Sequence, residues 1–175
     1  MHAQTLATIS LLIITVTTAR PLTTRQTNAC FIIGDTALPA EVADTATSIS
    51  SSITCSSSAT TLSGVPDVTS GSISFSSIDF TNNPLADTDL KRFQDSLNVY
   101  LATEVGVRSV DGGLAIKVPK FFLEFQVSRI QTAQGNAPVE AGLQVDHLRD
   151  KVLKNAAGED ASLLDEVRSL AGVLS

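Results

Sequence analysis

The sequence predicts a mainly α fold: a small helical bundle with an N-terminal disulfide and one extended segment. Three observations lead there. Apolar residues recur at three- and four-residue steps in several separate stretches, which places them on one face of a helix. The two cysteines, Cys30 and Cys55, both fall early in the chain. The segment Ser72–Phe80 alternates apolar and polar residues instead, with Ile73 and Phe75, then Ile78 and Phe80.

Residues 1–19 read as a secretory signal peptide. Leu6 to Val16 is nearly all apolar or small, Leu11-Leu12-Ile13-Ile14 lies at its centre, and Thr17 and Ala19 are small enough for a cleavage site. The run is too short for the roughly 20 residues that span a bilayer. Residues 20–25 read as a short propeptide ending at Arg25, and 26–175 as a single helical domain without a membrane span.

In an oxidising compartment Cys30 and Cys55 are expected to pair. Closing that loop constrains the unfolded chain by roughly 3–4 kcal/mol. Leu38, Val42, Ala46, Ile49 and Ile53 between them predict a helix over Leu38–Thr54. Pro39 suits its first turn, and Glu41 and Asp44 suit the positive end of its dipole. The disulfide would tie the N-terminal segment to the end of this helix. Residues 56–71, rich in Ser, Thr, Gly and Pro, read as a linker whose hydroxyl density suits O-linked sugars; there is no Asn-x-Ser/Thr sequon. Ser72–Phe80 reads as an extended segment over the helical core. Its strand partners would be Leu114–Val118 or Phe121–Val127, which keeps an α+β alternative with a short strand pairing open.

The stretch from Leu85 to Gln134 supplies the bulk of a core, with Phe93, Tyr100, Phe121, Phe122 and Phe125. Its first half predicts a helix capped by Asp87 and stopped by Gly106. Leu90, Phe93, Leu97, Tyr100, Leu101 and Glu104 share one face; Lys91, Arg92, Asp95 and Asn98 fall on the other. In the second half, Leu114, Val118, Phe121 and Phe125 have helical spacing, while Phe121, Leu123, Phe125 and Val127 also alternate. The length of Leu114–Gln134 and the position of Gly135 favour a helix, with Pro119 at a kink or a first turn and Asp111-Gly112-Gly113 as the preceding turn. Two further helices close the chain. Val145, Leu148, Val152 and Ala156 form one face from about Ala141 to Gly158; Asp160 caps the next, with Leu163, Val167, Leu170 and Leu174.

Composition narrows the function. The core is aliphatic with a few Phe, since 43% of residues are hydrophobic and there is no Trp. Formal net charge is −6, and no Lys or Arg occurs from Gln26 to Leu90. Nucleic acids and anionic membranes attract positive charge, so neither is an expected partner.

Candidate chemistry is sparse. His147 is the one histidine beyond the leader, and it sits among Asp146, Arg149, Asp150, Lys151 and Lys154 on a helix. Asp146 with Arg149, and Asp150 with Lys154, have the spacing of helix ion pairs, which reads as a solvated face. No Gly-x-Ser-x-Gly elbow supports a hydrolase. Glu159-Asp160 and Asp165-Glu166 read as capping and surface acids. A glycosidase cleft usually adds aromatic platforms, which a chain with no Trp and one Tyr lacks. No catalytic, cofactor or metal residue is assigned, and Cys30 and Cys55 are given to the disulfide.

The runs PLADTDLKRFQDSLNVYLATE, LAIKVPKFFLEFQVSRIQTAQGN and DKVLKNAAGED, with the opening CFIIGDTALPAEVADTATSISSSITC, resemble an uncharacterised family of small secreted proteins of filamentous ascomycete fungi. The resemblance covers nearly all of the mature chain. It implies an extracellular location and carries over no catalytic residue.

Three functional readings follow. The first is a secreted, non-enzymatic fungal protein with an extracellular or surface interaction role, its protein or surface partner unknown. The second is a carrier of an apolar ligand between helices, lined by Phe121, Phe122 and Phe125. The third is a hydrolase using His147.

Overall fold

In a computed structural model, residues 29–61, 63–70, 73–74, 81–113 and 115–175 are described. The signal-peptide and propeptide assignments, and Phe75 to Phe80, lie outside them. The chain forms α1 (Ala40–Ile49), a three-stranded antiparallel sheet in the order β1 (Thr54–Thr60), β2 (Pro66–Ser70), β3 (Ile73–Ser74), then α2 (Leu90–Ser109), α3 (Lys117–Ala133), α4 (Val145–Asn155) and α5 (Ala161–Leu170). The fold is mainly α, as expected, with a small sheet added.

The sheet corrects two expectations. Residues 56–71 are not a linker: β1 and β2 pair with Cys55 opposite Val68 and Thr60 opposite Pro66, with an irregularity between. Gly64 turns the chain between them at φ +76°, and Thr61 N donates to Val65 O. The strand part of Ser72–Phe80 that is described, Ile73–Ser74, pairs with β2 rather than with Leu114–Val118 or Phe121–Val127. Ser and Thr are poor hydrophobic markers, so β1 and β2 carried no period-2 signal. What fixes them is Val65 and Val68, both fully buried, and the cysteine in β1.

The early helix is shorter than Leu38–Thr54. It ends at Ile49, followed by a 3₁₀ turn at Ser50–Ser52, and Thr54 already belongs to β1. Its hydroxyl residues bond back to their own helix carbonyls, Thr45 to Glu41 O and Thr47 to Ala43 O, and such residues extend helices poorly. Ala46 and Ile49 are buried against α2.

α2 differs from its expected form at both ends. Its cap is Asp89, whose carboxylate accepts from Arg92 N at 3.3 Å; Asp87 sits two residues earlier, in a 3₁₀ turn over Leu85–Asp87. Gly106 does not stop it. The helix runs to Ser109 because Gly106 and Ser109 are buried under the segment before α1. Ser109 Oγ accepts from Ile33 N and Gly34 N, each at 3.2 Å, and Ser109 O accepts from Thr36 N at 3.0 Å.

α2 thereby serves two cores. Val99, Ala102 and Val105 pack with Phe31, Ala46, Ile49, Ile53 and Val68. Phe93 and Tyr100 pack with Leu85, Leu123 and Ile130. α3 returns antiparallel to α2: Lys120 near its start bonds Glu104 near the end of α2, and Gln134 at its end bonds Ala86 O and Thr88 O before α2. Of the expected helix over Leu114–Gln134, Lys117–Ala133 is therefore helical. Pro119 lies in the first turn and Gly135, at φ +79°, ends it.

α4 buries Val145, Leu148 and Val152, the expected face, but begins at Val145 after a 3₁₀ turn at Ala141–Leu143. Asp160 caps α5 as expected, accepting from Ser162 N at 2.9 Å. Leu163 departs from its expected place on the apolar stripe and faces solvent.

The close approach at Gly106 yields a stability prediction. A Cβ there would lie 2.6 Å from Phe31 O and 2.5 Å from Val65 Cγ1. Gly106→Ala should lower stability by about 1–3 kcal/mol in urea unfolding, through overpacking. Gly113→Ala, with open space around its Cβ, should change it by no more than about 0.5 kcal/mol.

Candidate functional site

The disulfide, His147 and the Phe121–Phe122–Phe125 cluster singled out in the sequence do not converge on one site. Cys30 and Cys55 are bonded, with Cα atoms 5.9 Å apart. Because Cys55 lies in β1, the bond ties the N-terminal segment to the sheet and not to the end of α1. His147 lies exposed on α4. Beside it Arg149 bonds Asp146 at 2.7 Å, as expected, and also Asp150 at 2.9 Å. The expected Asp150–Lys154 pair gives way to this arrangement, since the guanidinium fork of Arg149 reaches both acids. Phe125 is fully buried, and Phe121 and Phe122 are half-buried. They pack against Val145, Leu148, Val152, Val167 and Ala171, so side chains of the protein itself fill this cluster.

Two charged groupings emerge that the sequence did not announce. The first joins α2, α3 and α4. Lys120 Nζ lies 2.7 Å from Glu104 Oε2, with both side chains largely shielded from water. One turn further along α3, Glu124 is raised above its ordinary carboxyl value. Burial is the main cause and the nearby Glu104 carboxylate adds to it, while Lys120 and Lys151 oppose them. Lys120 stands 4.6 Å over the Phe121 ring and Lys151, from α4, 5.7 Å from it. Chemically, this is a carboxyl group that holds its proton more tightly than usual, between two ammonium groups. That is an acid–base capacity, though bridging three helices accounts for the same residues.

The second grouping is Arg129, 1% exposed on α3. Its Nη1 donates to Gln126 Oε1 at 2.6 Å, Nε to Leu170 O at 2.8 Å and Nη2 to Val173 O at 2.9 Å. All three acceptors are neutral. The guanidinium carbon lies 5.6 Å from the Phe125 ring centre. Burial lowers its proton affinity below the ordinary arginine value. What replaces a counter-ion is the C-terminal end of α5, where the helix dipole concentrates partial negative charge.

Both groupings left a trace in the sequence. Glu104 occupies the last position of the apolar stripe Phe93–Leu97–Tyr100–Leu101, where a solvated acid has no reason to be. Arg129 falls four residues after Phe125, on the buried side of α3. A charge in register with an apolar face is the signal in each case.

With the geometry in place, the family can be stated. A model described as "Domain of unknown function (DUF7143)" matches residues 32–84 and 81–175. The chain belongs to the DUF7143 family. No curated protein and no solved structure matches it. Among the described residues of this DUF7143 chain, no group of three or more His, Cys, Asp or Glu is placed to hold a metal ion, and no helix is long and apolar enough to cross a membrane.

The raised Glu124 carboxyl predicts a pH dependence. A folded-state value above the unfolded one means that the folded protein binds the proton more tightly. Stability from this group is then full below the ordinary value of 4.5 and is lost as pH rises through the folded-state value. Glu124→Gln removes the ionisation. Its melting temperature should exceed that of the parent at pH 7, and the gap should close as pH falls below 4.5.

Proposed function

We propose that this DUF7143 protein is a secreted, non-enzymatic protein of fungal origin that acts through contacts made outside the cell. The observation that carries this reading is the Cys30–Cys55 bond, which belongs to an oxidising compartment. The apolar leader and the sequence resemblance point the same way. The placement of His147 among ion-paired side chains on an exposed helix face favours a solvated surface over a hydrolase. The packing of Phe125 against α4 and α5 favours a filled core over a carrier cavity.

The test is expression of the tagged full chain in a filamentous fungus. Mass spectrometry of the medium should find a form starting between Arg20 and Gln26 with both cysteines bonded. Cross-linking on living hyphae should then capture surface components. Intact Met1 as the main, intracellular form would refute secretion. His147→Ala should shift stability by no more than about 0.5 kcal/mol and leave surface binding intact; a hydrolytic activity abolished by that change would refute the non-enzymatic reading.

A further inference from the structure

The connection between α3 and α4 is unlike the other turns of the described chain. From Gly135 to Gln144 every residue is exposed except Pro138, which is half-buried. Val139 is 92% exposed, whereas no other large apolar side chain among the described residues exceeds 49%. Packing within the fold gives no reason for an aliphatic side chain there. The two ends of the connection are fixed. Gly135 N donates to Thr132 O at 3.0 Å, Asn136 N to Gln131 O at 2.8 Å, and Leu143 N to Glu140 O at 2.9 Å. Between these anchors, the N–H groups of Ala137 and Val139 and the C=O groups of Pro138 and Val139 make no hydrogen bond among the described residues. Pro138 fixes its own φ and biases Ala137 towards extended backbone, and Glu140 is extended at φ −71° and ψ 124°. Other turns are braced from within: Gly64 N bonds Thr61 O, Gly112 N bonds Val107 O and Glu159 N bonds Ala156 O.

We propose that the Val139–Glu140 bond is a proteolytic modification site, cut by a serine endopeptidase with a small aliphatic S1 pocket, and that the cut protein persists as two associated chains. Exposed loop tips whose backbone is unbonded are where proteolytic nicking concentrates. A protease cleft holds such a segment in extended form, pairing with its free N–H and C=O groups while a pocket takes one side chain. The side chain selects the class of enzyme. No Lys or Arg lies between Ile130 and Leu148, so a pocket lined by a carboxylate finds nothing to hold, and the connection carries no aromatic residue for a deep apolar slot. Val139 suits a small pocket. The net step is hydrolysis: the bond from the Val139 carbonyl carbon to the Glu140 nitrogen breaks, and water supplies a hydroxyl to the carbon and a proton to the nitrogen. The piece released from the chain, Glu140–Ser175, carries α4 and α5. No disulfide retains it, since Cys30 and Cys55 both precede the cut. Val145, Leu148 and Val152 keep it packed on Phe125, and Arg129 keeps its bonds to Leu170 O and Val173 O. The assignment rests on the loop and not on the reading of the chain as a secreted protein.

The test treats the folded full chain with pancreatic elastase, whose S1 pocket is small. Mass spectrometry and amino-terminal sequencing should find a new terminus at Glu140, and trypsin should produce none there. The two pieces should co-elute on size exclusion in native buffer with their helical circular dichroism intact, and should separate in urea without a reductant. Val139→Asp alters a side chain in water, so it should keep the parent melting temperature while slowing the cut at this bond at least about tenfold. No Glu140 terminus from the folded chain, or equal rates for the parent and Val139→Asp, would overturn the site. A terminus that appears only at temperatures where the parent melts would place the cut in the unfolded chain and overturn it as well. Separation of the pieces in native buffer would sink the two-chain form. Elastase that stays bound to uncut protein and loses activity on a small chromogenic peptide would make the loop an inhibitor, against its assignment as a cut site.

Discussion

The structure depends on a constraint at one end of α2: a second segment of chain has to pass at backbone distance. Gly34 and Gly106 make that possible. A Cβ on Gly34 would fall 1.9 Å from Ser109 O, and one on Gly106 would meet Phe31 O. With both hydrogens in place, Ser109 can hold three amides of the passing segment through its side chain and carbonyl. Phe31 then drops fully into the core beside Val99 and Val105. The disulfide and the sheet follow from this approach. Once Phe31 is seated, Cys30 lies at the start of β1, and bonding to Cys55 places β2 with Val65 and Val68 against α2. The small residues are what allow the helix to be buried on two sides, and each such contact replaces water without displacing backbone.

The same small residues explain where the sequence was legible and where it was not. α4 reads clearly because Val145, Leu148 and Val152 contrast with charged neighbours at helical spacing. Asp160 and Gly135 read clearly because a cap or a left-handed stop needs a particular residue type. The second face of α2 is built of Ser96, Ala102, Gly106 and Ser109, with Val99 and Val105 among them. Only two of those six count as strongly apolar, so the stripe through Phe93 and Tyr100 dominated, and Gly106 looked like a terminator. β1 failed for a related reason. Its burial is slight, and Ser and Thr give alternation nothing to show. Tertiary partners make it a strand, which no local pattern contains.

The charged groupings show the opposite limit. Their residues were visible, but their meaning depended on which elements lie opposite. Glu104 could belong to a buried face only if α3 brings Lys120 to it, and Lys120 does so because the turn at Asp111–Gly113 reverses the chain at that distance. Arg129 is tolerable at 1% exposure only because α5 ends over it. Removing a charge from water costs several kcal/mol, so neither pairing is incidental to the fold. The disulfide, by contrast, needed only the two cysteines of the chain, and could be read directly.

The two ends of the molecule are therefore secured by different physics. The N-terminal side is closed by a covalent bond, by strand pairing and by contacts at backbone distance. The C-terminal hairpin is closed by side-chain packing on α3 and by the hydrogen bonds of a single cation to a helix end. Packing of this kind is graded: each half-buried leucine contributes a fraction of the roughly 1.5–3 kcal/mol of a fully buried one, and the dipole contact contributes up to about 2 kcal/mol.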